Sequence, residues 1–116
     1  FPTRRSSDLI LLPWCMEYNM DKLGELYAQL LLPLAGADIY AATPAEKRGQ
    51  KAADTIREMT SRFNKICGLP VSLQQAGVKK EDLGRIAKTA LNDGAVIINP
   101  KESEYEDILA ILNKAY

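Results

Sequence analysis

The chain has 116 residues, with 15 basic and 15 acidic side chains, two cysteines and no histidine. Without an imidazole it can build no Ser-His-Asp or Cys-His nucleophile system and no histidine-containing zinc or iron site, and two cysteines alone cannot make a four-thiolate site. The even charge balance excludes the basic footprint of a nucleic-acid binder, and no run approaches the roughly 18–20 apolar residues of a membrane span.

A hydrophobic content of 47% with 26% charged residues fits one ordinary globular domain. Its opening residues do not fit the rest of the chain. Phe1-Pro2-Thr3-Arg4-Arg5-Ser6-Ser7-Asp8-Leu9 is polar and basic and gives way abruptly at Ile10. All nine residues resemble the translation of a synthetic sequencing adapter, so residues 1–9 are set apart from the fold and 10–116 are taken as the natural domain, with its true N-terminus missing. That remainder carries 13 basic and 14 acidic groups.

Residues 10–19 are apolar, and Pro13 suits a first helical turn, where its missing N–H costs nothing. Asp21 opens a second helix whose Leu23, Leu26, Tyr27, Leu30, Leu31 and Leu34 share one face, ended by Pro33 and Gly36. Residues 37–42 read as a connector. Thr43, Pro44 and Glu46 then read as N-cap, first helical residue and closing glutamate of a capping box. The long helix beyond them carries Ala52, Ile56, Met59, Phe63 and Ile66 as a buried stripe. Its charges, among them Lys47, Arg48, Lys51, Arg57 and Lys65, read as a solvated face, and Gly68 with Pro70 terminates it.

Ser72 caps a short turn through Ala76, and Gly77-Val78 breaks the chain again. Lys79 or Lys80 opens a helix with Leu83, Ile86, Ala87, Ala90 and Leu91 inward, closed by Gly94. Residues 95–98 form a short apolar link, and Asn99-Pro100 marks a turn. Ser103 and Glu106 read as a second capping box, starting a last helix that buries Ile108, Leu109, Leu112 and Ala115. The sum is an all-α bundle of five to six helices. Cys15 and Cys67, far apart and outside any CxxC pattern, read as reduced core thiols of a cytoplasmic protein.

Four segments carry a resemblance. They are Ile10-Leu11-Leu12-Pro13 with Met16-Glu17-Tyr18-Asn19; Cys67-Gly68-Leu69-Pro70 through Leu73, Gly77-Val78 and the Asp82-Leu83 helix; Asp93 with Asn99-Pro100; and Tyr105-Glu106-Asp107-Ile108 with Ile111-Leu112 and Ala115-Tyr116. In this order and spacing residues 10–116 resemble the C-terminal helical domain of the iron-containing (group III) alcohol dehydrogenases. The resemblance implies a two-domain, homo-oligomeric enzyme that interconverts alcohols and aldehydes. Its N-terminal α/β domain, absent here, binds NAD or NADP. One aspartate and three histidines hold a divalent metal, usually iron, that polarises the substrate oxygen.

By the same resemblance all four ligands fall upstream of Ile10, so this chain holds no metal or cofactor ligand and is inactive alone. Cys15, Asp21 and Asp38 inherit no ligand role. What remains of the active site is the loop before Asn99-Pro100, where Ala95, Val96 and Ile97 line the substrate pocket; Ala95 sits where many relatives carry cysteine. Trp14 reads as a core or inter-domain aromatic. Iron, zinc or no metal, NAD or NADP, and the substrate are all decided by residues outside the chain. The alternative is a stand-alone helical interaction domain without catalysis, which would be monodisperse and melt cooperatively by itself, whereas a domain lacking its neighbour exposes apolar surface and associates.

Overall fold

The computed structural model describes residues 4–116, and side chains from Ser6 onward. Among the described residues there are seven α-helices and no strand: α1 (Arg4–Tyr18), α2 (Met20–Ala35), α3 (Ala37–Ala42), α4 (Arg48–Cys67), α5 (Leu83–Leu91), α6 (Gly94–Ile97) and α7 (Tyr105–Ala115). Single 3-10 turns at Ala45–Lys47 and Lys80–Asp82 lead into α4 and α5. Five of the helices are nine residues or longer, so the expected all-α bundle is what forms. It is a slab 43 × 36 × 19 Å, and 19 Å is the thickness of about two helices of ~10 Å diameter.

Two hydrophobic clusters fill the slab. α2 crosses α4 as its most extensive helix pair, and there Met16, Leu31, Ala52 and Ala53 are buried. The approach is close: a Cβ added at Gly49 would stand 2.8 Å from the Gly24 carbonyl oxygen and 2.9 Å from Met20 Sδ. The second cluster lies among α1, α5, α7 and the 73–78 turn, from Ile10, Leu73, Ala76, Val78, Leu83, Ala87, Leu112 and Ala115. The inward faces read for α5 and α7 are those that pack. Ser72 Oγ accepts from the Gln75 amide as expected, and the Leu73 amide donates to the Ala115 carbonyl, tying the turn to the end of α7.

Several local expectations are corrected. α1 starts at Arg4, with residues 4–9 as its first turns and Ser6 buried. Pro13 therefore sits inside a helix, not in its first turn, and its absent N–H leaves the Leu9 carbonyl without its helical donor. Pro33 lies inside α2, which runs on until Gly36 at φ 90°. Residues 37–42 are helical, not a connector, with Asp38 in the first turn complementing the helix dipole.

Both capping boxes are misplaced. Thr43 Oγ1 donates back to the Ile39 carbonyl at 2.7 Å and ends α3, while α4 is entered through the 3-10 turn with no side-chain cap. At α7 the box is one residue later: Glu104 and Asp107 exchange the bonds, with the Glu104 amide donating to Asp107 Oδ2 at 3.0 Å. Gly94 does not close α5; it begins α6, which Asp93 caps by accepting from the Ala95 amide at 2.8 Å. Gly68, in contrast, is the left-handed cap expected, at φ 74°.

The buried stripes are also shorter than read. On α4, Ala52 is buried but Phe63 and Ile66 are 46% and 79% exposed, on a face that the described residues leave uncovered. Leu26 and Leu30 of α2 are likewise exposed, and Cys67 is an exposed thiol, not a core one. No described helix is long and apolar enough to cross a membrane.

Candidate functional site

Four elements converge on an apolar cavity of about 310 Å³. Leu11, Cys15 and Tyr18 of α1, with Asn19 just past its end, sit at the i, i+4, i+7, i+8 spacing of one helical face. α5 supplies Ile86 and Ala90 one turn apart, and α7 supplies Ile108, Ile111 and Leu112. α6 brings Ala95 and Val96 to the same wall, joined there by Asn99 and Ser103. Of the three residues expected at a substrate pocket, Ala95 and Val96 border this cavity; Ile97 is 74% exposed and does not.

The loop from Asp93 to Ser103 is held by polar contacts to the α1–α2 junction. Asn19 Nδ2 donates to Asn99 Oδ1, and Asn99 Nδ2 donates back to Asn19 Oδ1, both at 2.9 Å. Asn99 Nδ2 also donates to the Lys101 carbonyl at 2.6 Å, so Asn99 shapes its turn as read. Lys101 Nζ donates to the Tyr18 carbonyl at 3.0 Å, lies 3.3 Å from Asp21 Oδ1, and stands 4.4 Å from the Tyr18 ring centroid. The Tyr18 hydroxyl donates to the Glu102 carbonyl at 2.7 Å. These bonds join residues some eighty positions apart and keep the cavity's polar groups occupied with one another.

Burial pushes the Cys15 thiol above its usual pKa, so at neutral pH it is a protonated, weakly polar wall rather than a thiolate. Burial raises the Tyr27 phenol as well. Among the described residues no group of three His, Cys, Asp or Glu side chains could hold a metal ion. Glycines with positive φ are Gly36, Gly68 and Gly77, all at helix or turn ends; none opens a phosphate-binding strand-to-helix turn. The described residues therefore do not fit the metal that the resemblance implies.

A second polar cluster sits between α1 and α4, and the reading of α4's charges as a solvated face missed it. Arg57 Nη1 pairs with Glu17 Oε1 at 2.7 Å and Asp54 Oδ1 at 3.0 Å, and its guanidinium lies 4.1 Å from the Trp14 ring centroid. Its Nε and Nη2 are buried without a hydrogen-bond partner, so the stacking on Trp14 is what offsets their desolvation. The hydrogen bond from Arg57 holds the Glu17 carboxyl below its usual range. Trp14 packs at the margin of the second hydrophobic cluster, the core role expected of it.

Sequence reasoning also missed Leu11, Cys15, Tyr18 and Asn19 as one wall. The signal was the helical spacing itself, which becomes readable only once α1 is known to run unbroken through Pro13.

Among the described residues the domain is all-helical, with an apolar cavity and no metal-binding cluster. Residues 6–116 match the Fe-containing alcohol dehydrogenase family, C-terminal, and the chain belongs to that family. The match includes Ser6 to Leu9 of the segment that reads as adapter-derived. Over 110 residues, 95% of the chain, it is 32% identical to the lactaldehyde reductase of Escherichia coli (strain K12) and 28% identical to the 1,3-propanediol dehydrogenase of Klebsiella pneumoniae. Over 104 residues, 90% of the chain, it is 28% identical to the NAD-dependent methanol dehydrogenase of Bacillus methanolicus. It spans about a quarter of each: 27%, 27% and 26%.

Proposed function

We propose that this chain is the C-terminal helical part of a cytoplasmic, homo-oligomeric alcohol dehydrogenase that interconverts a small alcohol and its aldehyde by hydride transfer with NAD or NADP. A divalent metal, iron in this reading, activates the substrate oxygen, and metal and nicotinamide are held by segments other than these residues. The observation that carries the reading is the family match across residues 6–116. Relatives named for lactaldehyde, 1,3-propanediol and methanol support the substrate class, and one named NAD-dependent supports the nicotinamide.

In this reading residues 1–9 are an appended adapter translation and residues 10–116 the native domain. Ala95, Val96 and Ile97 are the part of the substrate wall that this chain supplies, the first two from the cavity side and Ile97 from the exposed side of α6. Expressed alone with iron, the chain is expected to carry no stoichiometric metal and to reduce no aldehyde. The intact coding region is expected to encode a histidine–glycine pair shortly upstream of Ile10 and a product that oxidises NADH or NADPH with an aldehyde. A stoichiometric metal on the 116-residue chain, or an intact product without nicotinamide-dependent turnover, sinks the reading.

A further inference from the structure

The cavity among α1, α5, α6 and α7 has a chemistry of its own. Its walls are Leu11, Ile86, Ala90, Val96, Ile108 and Ile111, and none of these carries a polar side-chain atom. Apart from the Cys15 thiol, a weak donor, the polar side chains that reach it aim their hydrogens at protein partners, and Asn19 also hydrogen-bonds the Tyr27 side chain. Asn19 and Asn99 bond each other reciprocally, Asn99 spends its second donor hydrogen on the Lys101 carbonyl, and the hydroxyls of Tyr18 and Ser103 donate to backbone carbonyls. A ligand entering here therefore meets apolar surface along its length and no free amide or hydroxyl hydrogen at depth. A second hydroxyl on the ligand can donate to the oxygens of Tyr18, Ser103 or the paired amides but meets no N–H or O–H aimed back at it, so it recovers only part of its lost hydration, which costs binding. At about 310 Å³ the space is roughly twice a cavity of ~150 Å³ that holds a benzene ring, so a six-carbon chain fits.

We infer that this cavity is the binding site for the alkyl tail of a primary alcohol or aldehyde of about six carbons, selected against diols by the self-paired Asn19–Asn99 amides. The inference rests on the dehydrogenase reading for the identity of the polar end and on the cavity alone for the tail. It departs from the short or doubly oxygenated compounds in the names of the three relatives.

The test uses the chain by itself, with neither metal nor nicotinamide. Isotope-labelled protein is titrated with ethanol, 1-butanol, 1-hexanol and 1,6-hexanediol, reading amide and methyl shifts at Ala90, Ala95, Val96 and Ile111. Affinity is expected to rise about fourfold per added methylene, or roughly 250-fold from ethanol to 1-hexanol, with the diol at least about tenfold weaker than 1-hexanol. Ala90→Phe, which fills the space, removes the progression. Ile111→Ala, which enlarges it, extends the progression to longer alcohols and serves if Ala90→Phe does not fold. Ile66→Ser, on the exposed end of α4, leaves it unchanged. A flat series, a diol equal to 1-hexanol, or shifts confined to the Phe63–Ile66 surface overturns the inference. Because nothing here depends on turnover, such a failure leaves the dehydrogenase reading standing, and that reading falls only on the metal and nicotinamide assays.

Discussion

Around α2 and α4 the core is made by backbones meeting; around α5 and α7 it is made by side chains meeting. The first region buries Ala52, Ala53 and Leu31 beneath a crossing where Gly49 faces the Gly24 carbonyl with no room for a methyl group. The second buries branched side chains such as Leu83, Leu112 and Ile10, and leaves a cavity of about 310 Å³ beside them. The close backbone approach and the apolar cavity thus belong to different helix pairs.

The largest expected effect probes the side-chain-built region. Leu83 is 2% exposed, and Leu83→Ala should cost about 3 kcal/mol in denaturant unfolding. A loss under about 1 kcal/mol would show that this region collapses around the hole and is not held open.

The next effect probes the backbone-built region through its sign. Gly→Ala inside a helix ordinarily gains about 1 kcal/mol. Gly49→Ala is expected to lose about 2 kcal/mol, because the obstructing atom is a backbone oxygen that cannot swing aside. Gly24→Ala, whose new Cβ would meet only the flexible Met20 side chain, at 3.7 Å and beyond, is expected to keep the ordinary gain. Equal behaviour of the two variants would dissolve the contrast between the regions.

Smaller effects come from the polar join where α1 meets α4. Arg57→Met removes both carboxylate bonds and leaves the largely buried Glu17 carboxylate with the Gln50 amide but no cation, an expected loss of about 1.5 kcal/mol by thermal or denaturant unfolding. The Glu17 carboxyl titrates below its usual 4.5 because Arg57 hydrogen-bonds it. Its contribution is therefore fully present above that usual value and is lost as the pH falls through the lower folded value. Melting temperatures measured from neutral pH into acid should fall less steeply for Glu17→Gln than for the unaltered chain. Parallel curves would assign the acid loss to other carboxylates.

How much of this could be read from the sequence differs by scale. Helix type and the inward faces of α5 and α7 were legible, since Leu83–Ala87–Ala90 and Ile108–Leu112–Ala115 repeat at helical spacing and both helices are covered by neighbours. Phe63 and Ile66 continue the same period from Ala52, yet they are exposed: periodicity shows which residues share a face, not whether anything lies against it. The caps slipped because Thr43 turns back to the Ile39 carbonyl and because Glu104, beside Ser103, caps the last helix instead. Ala95 and Val96 border the cavity and Ile97 does not, while Asn19 escaped notice because its partner Asn99 lies 80 residues away. Arg57 was hidden by its own chemistry, a cation that packs flat on an aromatic ring while its neighbours on α4 face water.

Pro13 has a mechanical consequence for the whole slab. In α1, Ile10 belongs to the side-chain-built cluster and Met16 to the backbone-built one, and the missing hydrogen bond at Pro13 falls between them. α1 therefore spans both clusters with one backbone hydrogen bond fewer between its two points of attachment, a rung missing from the ladder where the cores meet.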